Sequence, residues 1–317
     1  MLSDKKIVTI GGGTGISTML RGLKKYTHNI TAVVTVADDG GSSGVLREDL
    51  GMLAPGDIRK CIAALAETNP IIEELINYRF PDGCLKGHAF GNLYLAALCG
   101  ISDSFEEAVE KMNRLFGVEG EILPVTNSNV RLTARLENGK IINGESNIGH
   151  SSEGRIDRVS IVPKEAKPAQ KVLDAIAEAD MIIMGPGSLY TSIIPNLLVE
   201  GVSEAIANSH ALKVYVANIM TQPHETTGYT LYDHVEAITK HAGENIIDCI
   251  VANTERISDK MLEKYALESS EPVKLDIERF LDEGINMVLK NLCYSDGGYI
   301  RHDFMELAKT LMNLMKK

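Results

Sequence analysis

Basic residues are the first shortage. Across 317 positions, 32 Lys and Arg stand against 43 Asp and Glu, a formal charge of −11. Neutralising a phosphate backbone takes clustered Lys and Arg, so no nucleic-acid partner is expected. Cysteine is sparse as well. Cys61, Cys84, Cys99, Cys249 and Cys293 are odd in number, widely spaced and without a C-x-x-C pair, which removes a zinc ribbon, a thioredoxin-like site and a disulfide framework. They read as free thiols. No apolar run approaches the ~18 residues of a membrane span. The run Ile7-Val8-Thr9-Ile10 after Lys5-Lys6 is shorter than the ~7–15-residue core of a signal peptide. No membrane span and a cytoplasmic location are therefore expected. G-x-x-x-x-G-K-[ST] is absent, which excludes ATP hydrolysis by the P-loop route. Ser188 has the wrong neighbours for a G-x-S-x-G elbow, no nucleophile triad emerges, and the eight histidines follow no metalloprotease spacing.

What is present is ordinary globular material, 44% apolar and 24% charged. At about 150 residues per domain the length allows one large or two modest domains. No low-complexity tract or repeat divides it, and we read residues 1–317 as a single α/β domain. Residues 7–10 form a β-branched strand, a glycine turn follows, and Ser17 is placed to cap a helix over 18–26. Residues 30–37 are a second strand, and the pattern is then mostly helical, with segments at 58–67, 71–78, 92–99 and 105–116. Strict alternation over 130–136 with Asn138-Gly139 behind it signals a hairpin, and 156–162 adds a strand. The stretch at about 121–163 is expected to be an antiparallel β insertion. Helices at 170–179, 192–208 and 231–241 then alternate with strands at 181–184, 212–217 and 246–252, and an amphipathic helix over 304–315 closes the chain. The expected fold is a Rossmann-like, mostly parallel sheet with helices on both faces.

Chemistry concentrates at the strand ends. Gly11-Gly12-Gly13-Thr14-Gly15 between a strand and a helix suits a pyrophosphate, because glycines let the backbone approach and helix N-terminal N–H groups point at the anion. The strict G-x-G-x-x-G pattern fails at Ile16. Asp38 and Asp39 close the second strand, where a carboxylate takes ribose hydroxyls, helps hold Mg²⁺ together with phosphate oxygens, or caps the next segment. A pair of carboxylates is a poor cage alone, so no permanent cofactor is expected and Mg²⁺ only with ligand. Gly40-Gly41-Ser42-Ser43-Gly44 reads as a flexible loop or second anion cradle. Gly185-Pro186-Gly187-Ser188 repeats the strand, turn and helix start, with Ser188 and Thr191 as donors to phosphate or caps. Lys86-Gly87-His88 precedes Asn92, a candidate N-cap. Asn218, Thr221, Gln222 and Glu225 come after a strand, and Arg301 in a last polar turn is a candidate phosphate cation.

Taken together, IGGGTG (10–15), ADDGGSSG (37–44), PGDIRKC (55–61), GHAFGNL (87–93), GPGSLYTS (185–192) and NIMTQPHET (218–226) resemble the YvcK-like gluconeogenesis factor family, distant relatives of the CofD 2-phospho-L-lactate transferases. The likeness runs from about residue 6 to residue 301. Its departure is His224, where the family has Gly. The resemblance implies a regulator that binds UDP-sugars, notably UDP-N-acetylglucosamine, and that serves growth on gluconeogenic carbon sources and cell-wall shape. It places Gly11–Gly15 on the pyrophosphate with Asp38 and Asn92 nearby. Gly187, Ser188 and Asn218 would line the other wall, and Tyr265 and Arg301 would reach the ligand from the C-terminal segment. The transferase branch implies instead a Mg²⁺-assisted transfer from a nucleotide diphosphate donor. Regulatory protein partners are expected in the first case, and monomer and homodimer both remain open.

Overall fold

The computed structural model describes residues 3–66, 70–281 and 283–316. Seven strands form one parallel sheet: β1 (Ile7–Gly11), β2 (Ile30–Val34), β3 (Glu121–Pro124), β7 (Met181–Met184), β8 (Leu212–Val216), β9 (Cys249–Asn253) and β10 (Asn286–Lys290). A second sheet is antiparallel, with β4 (Arg131–Leu136) between β5 (Ile141–Asn143) and β6 (Ile156–Val162), and β11 (Cys293–Asp296) pairs with β12 (Tyr299–His302) as a hairpin. The helices are α1 (Gly13–Leu23), α2 (Gly41–Leu50), α3 (Gly56–Leu65), α4 (Pro70–Asn77), α5 (Phe90–Cys99), α6 (Phe105–Leu115), α7 (Glu145–His150), α8 (Gln170–Glu178), α9 (Ile194–Leu197), α10 (Val202–Asn208), α11 (Leu231–Ala242), α12 (Asp259–Leu267) and α13 (Phe304–Leu314).

The sheet order is β3-β2-β1-β7-β8-β9-β10. The chain walks outward from β1 through β2 to β3, then returns to the other side of β1 and walks outward again. That reversal between β1 and β7 is the topological switch point of a doubly wound sheet, and ligands bind outside the carboxyl ends of its strands. The central strands are apolar on both faces, as helices on both sides require: Ile7, Val8, Ile10, Ile182, Ile183, Val214 and Val251 are all buried. The fold class is the Rossmann-like α/β sheet that the strand–helix alternation predicts.

Several local expectations change. Helix α1 begins at Gly13, five residues earlier than the Ser17 cap implied, and the Ser17 hydroxyl donates to the Thr14 carbonyl inside the helix (3.0 Å). The 40–44 segment is not a loop: Gly41 to Leu50 is helical, with Ser42 and Ser43 buried on its inner face. Glu121–Pro124 is the edge strand of the large sheet, paired parallel with β2, so the antiparallel insertion starts at β4 and not at 121. The helix expected at 192–208 is broken into a π-helical turn (Leu189–Ile193), α9 and α10. Residue 67, the expected end of α3, lies outside the described residues.

Candidate functional site

A cleft of about 560 Å³ opens at the carboxyl ends of the strands, across the switch point. Gly12, Gly13, Thr14 and Gly15 form its floor at the start of α1, and Pro186, Gly187 and Ser188 face them from beyond β7. The two turns are in contact: a Cβ on Gly15 would lie 2.4 Å from the Pro186 carbonyl oxygen, which leaves room for glycine alone. A Cβ on Gly12 would meet the Asp57 carboxylate at 2.5 Å and the Thr35 methyl at 2.7 Å.

The turns look alike in sequence and differ in chemistry. Helix α1 has no side-chain cap, so its leading N–H groups face the cleft with no partner in their own helix. Such a helix start suits an anion, supported by the positive end of the helix dipole. The second turn is closed from within. Gly187 N–H donates to Asn218 Oδ1 (3.2 Å), and Asn218 Nδ2 donates to the Gly187 carbonyl (2.8 Å). Tyr190 N–H donates to Glu225 Oε2 (3.3 Å), the Thr191 hydroxyl to Glu225 Oε1 (3.1 Å), and Ser192 and Ile193 N–H both to the Ser188 carbonyl at 3.0 Å. Glu225 is a resident carboxylate where the sequence suggested a second phosphate.

Carboxylates also crowd the β2 side. Asp38 lines the cleft with Asp57 and Glu145, opposed by Lys60, whose ammonium lies 3.0 Å from Asp57. Burial, with the Asp57 charge as a further contribution, holds the Asp38 carboxyl above its usual range, although the Gly40 N–H (2.9 Å) works against the shift. Burial first, then the negative charges of Asp38, Glu225, Asp39 and Asp57, push Glu145 up to about 8. Burial pushes Glu225 up to about 7 against its hydrogen bonds from Tyr190 and Thr191. A carboxyl raised in the folded state holds a proton there that the unfolded chain has already lost. Stability from this source is therefore greatest below about pH 4 and falls as pH rises through 7 and 8. Glu145→Gln is expected to melt at least about 2 °C above the parent at pH 8.5 and together with it near pH 4. Melting curves that differ by the same amount at both pH values would remove Glu145 as a titrating group.

Of the residues singled out in the sequence, Gly12, Gly13, Thr14, Gly15, Asp38, Gly187, Ser188, Asn218, Thr221, Tyr265 and Arg301 line this one cleft. Gly11 does not: it ends β1, and its carbonyl accepts from Asn196 Nδ2 (3.1 Å) and Thr35 N–H (3.0 Å). Gly185 also lies behind the lining, with a backbone φ of 81°. Asn92 is buried inside α5, where it donates to Ser42 Oγ (3.1 Å) and accepts from Arg59 Nε (3.0 Å); it neither caps the helix nor faces the cleft. Asp39 turns away. Its two oxygens accept from the Glu145 (3.0 Å) and Ser146 (2.8 Å) N–H groups and cap α7 of the insertion, so it is not placed beside Asp38 as a second cation ligand. Asp39→Ala should cost about 0.5–2 kcal/mol of stability, the scale of a lost cap, and leave the Mg²⁺ dependence of ligand binding unchanged; a change in that dependence would restore Asp39 as a metal ligand.

Asp57, Lys60, Glu145 and Glu268 line the cleft without having been singled out. The signal for the first two was available: both lie in the PGDIRKC segment, in the N-terminal half of α3. Glu145 had none, because only the tertiary fold of the insertion carries it there. His224 sits at φ 70°, the left-handed region that favours glycine.

The fold and cleft define an α/β protein with a glycine-lined cleft at the switch point of a doubly wound sheet. Comparison with known proteins narrows this. The family model described as 2-phospho-L-lactate transferase CofD matches residues 7–293. A relative from Thermoanaerobacterium thermosulfurigenes is 55% identical over 99% of this chain and 98% of its own length. The Bacillus subtilis protein named gluconeogenesis factor is 46% identical over 98% of both chains. A crystal structure of a UPF0052-family protein from Bacillus halodurans superposes with a TM-score of 0.95 at 43% identity, covering 98% of this chain and 100% of that one. The chain belongs to the CofD family, and within it to the YvcK-like gluconeogenesis factors.

Proposed function

We propose that the cleft binds a nucleoside diphosphate sugar, with UDP-N-acetylglucosamine the expected ligand. The protein then acts as a regulator, through protein partners, in growth on gluconeogenic carbon sources and in cell-shape and cell-wall homeostasis. The observation that carries the ligand class is the bare N-terminus of α1 facing a cleft that Arg301 enters from the opposite wall. A diphosphate satisfies the helix N–H groups and the guanidinium together. The names of the relatives support the carbon-source role.

The second reading is a Mg²⁺-dependent transferase, which the CofD family model and the Asp38–Asp57 pair favour. The donor set fits a conditional cation. Asp57 sits against Gly12, so a phosphate on the α1 N-terminus comes up against a carboxylate, and Lys60 is the cleft-lining cation paired with Asp57. Asp38 and Asp57 would hold Mg²⁺, with phosphate oxygens completing its octahedron. Bound there, the ion neutralises charge on the phosphates. The protein's own part is to fix the diphosphate on the helix N-terminus and to exclude rival orientations.

Calorimetric titration with UDP-N-acetylglucosamine, with and without Mg²⁺ and with recovery of the ligand, separates these. Saturable binding with intact ligand is the expected result. Turnover would select the transferase, and absence of binding would overturn the nucleotide-sugar reading. Asp38→Asn should lower affinity more in Mg²⁺ than in chelator; equal losses would assign Asp38 to a ligand hydroxyl.

A further inference from the structure

The two ends of the cleft differ in chemistry, and the difference fixes which way a nucleotide lies. On the β2 side the lining is charged: Asp38, Asp57, Lys60 and Glu145. The β8 side carries the apolar residues of the lining, Ile219, Met220, Pro223, Tyr265 and Ile300, with Thr221, Gln222, Glu268 and Arg301 among them. Four of those five belong to a small hydrophobic cluster of their own, in which Ile219 packs with Ile257 and Met261, and Met220, Tyr265 and Ile300 pack against them. This wall is pre-formed. Tyr265 Oη accepts the Ile300 N–H (2.8 Å), Thr221 Oγ1 accepts the Glu271 N–H (3.0 Å), and the Ser270 hydroxyl donates to the Thr221 carbonyl (2.6 Å). Gln222 Nε2 donates to Ser188 Oγ (2.7 Å), which holds this side chain against the second turn.

Resting on the nucleotide-sugar reading above, we infer that the base lies on the Ile219–Pro223 and Ile300 wall and that the sugar points to the Asp38–Asp57–Lys60–Glu145 end. This is the reverse of the dinucleotide arrangement, in which the carboxylate after the second strand takes the ribose of the nucleoside half. A flat base gains from apolar contact and from one or two polar groups at its edge, which the β8 side supplies. Among Asp38, Asp57 and Glu145 it would displace their solvent and return few hydrogen bonds. Sugar hydroxyls both donate and accept, and so match ionised and protonated carboxyl groups alike. The diphosphate stays on the α1 N-terminus in both orientations, so only the ends exchange.

The test is photolabelling of the intact protein with 5-azido-UDP-N-acetylglucosamine, whose reactive group is on the base, followed by peptide mapping. Labels within 218–223, 262–270 or 299–302 are expected, suppressed by excess UDP-N-acetylglucosamine. Labels within 38–60 or 143–150, equally suppressed, would overturn the orientation while leaving the ligand class intact. Labelling that excess ligand does not suppress would overturn the ligand class and the orientation with it. As a second measurement, Met220→Ser should weaken UDP and UDP-N-acetylglucosamine by the same factor, about tenfold, because the base contact is common to both. A loss confined to the sugar-bearing ligand would place the sugar on this wall and overturn the inference.

Discussion

Arg301→Glu should weaken UDP-N-acetylglucosamine binding by about a hundredfold or more, with a melting temperature within about 2 °C of the parent. Arg301 stands on β12 opposite Tyr294, its guanidinium carbon 5.7 Å from the Tyr299 ring centroid, and it forms no salt bridge among the described residues. Reversing its charge therefore removes from the fold only a peripheral cation–π contact, about 0.5–1 kcal/mol at an exposed site. The ligand loses far more. Four carboxyl groups (Asp38, Asp57, Glu145 and Glu268) line the cleft against two cations, Lys60 and Arg301. A charge-assisted bond to phosphate contributes about 1.5–3 kcal/mol, and a further carboxylate adds repulsion to that loss. At 1.4 kcal/mol per decade the sum reaches two decades. Titration and melting of Arg301→Glu beside Arg301→Lys check it, since Lys keeps the charge and loses the fork, and should fall between. Affinity near the parent's in the Glu variant would take Arg301 out of the ligand's reach.

How much of this was legible in the sequence depends on what each residue's role is local to. The sheet was legible because a parallel strand buried on both faces must be a short continuous apolar run, as in Met181-Ile182-Ile183-Met184, and such runs survive without tertiary knowledge. The edge strands were harder. Met287, Val288 and Leu289 in β10 are only half-buried, and Asn286 and Lys290 at its ends are exposed, so the pattern carried no clear period. Helix α2 was read as a loop because Gly-Ser-Ser-Gly is a poor helix former. Tertiary contacts overrule that propensity: Ser42 is bonded to Asn92 and His88, and Arg47 to the carbonyls of Ala37 and Asp38 and to Asn129.

The site divides in the same way. Gly12 to Gly15, Ser188 and Asn218 could be placed because each comes directly after a strand, and strand ends in a doubly wound sheet converge. Asp38 and Asp39 could not be told apart, since adjacent residues leave a strand end on opposite sides; one enters the cleft and the other caps α7. The equivalence of the two glycine turns failed for a reason no local pattern contains. The carboxylate that closes the second turn comes from Glu225, 34 residues beyond the Thr191 hydroxyl it accepts from.

The contact between those turns leads to the other large expected effect. Gly15→Ala should cost ligand affinity tenfold or more, although Ala at a helix position is intrinsically favoured over Gly by about 1 kcal/mol. Gly15 has no left-handed backbone to protect and lies in the first turn of α1, so propensity alone predicts a more stable protein. The space forbids it. The added Cβ would lie 2.4 Å from the Pro186 carbonyl oxygen, 2.8 Å from its carbon and 3.2 Å from the Gly187 nitrogen, all backbone atoms with no rotamer to yield. Relief requires α1 and the 185–188 turn to separate, at an overpacking cost of about 1–3 kcal/mol. That separation moves the α1 N–H groups away from the wall that Gly187 and Asn218 hold, so binding suffers even where the fold survives. Gly12→Ala is the informative partner. Its Cβ would meet a side chain, the Asp57 carboxylate at 2.5 Å, which can swing aside, and the Thr35 methyl at 2.7 Å. Displacing Asp57 should reduce the Mg²⁺ dependence of binding, whereas Gly15→Ala should lower affinity equally with and without the cation. Titration of both variants in Mg²⁺ and in chelator, beside their melting curves, checks the pair. A Gly15→Ala protein that binds and melts like the parent would show that the two turns are free to part, and the cleft would then not be set by their contact.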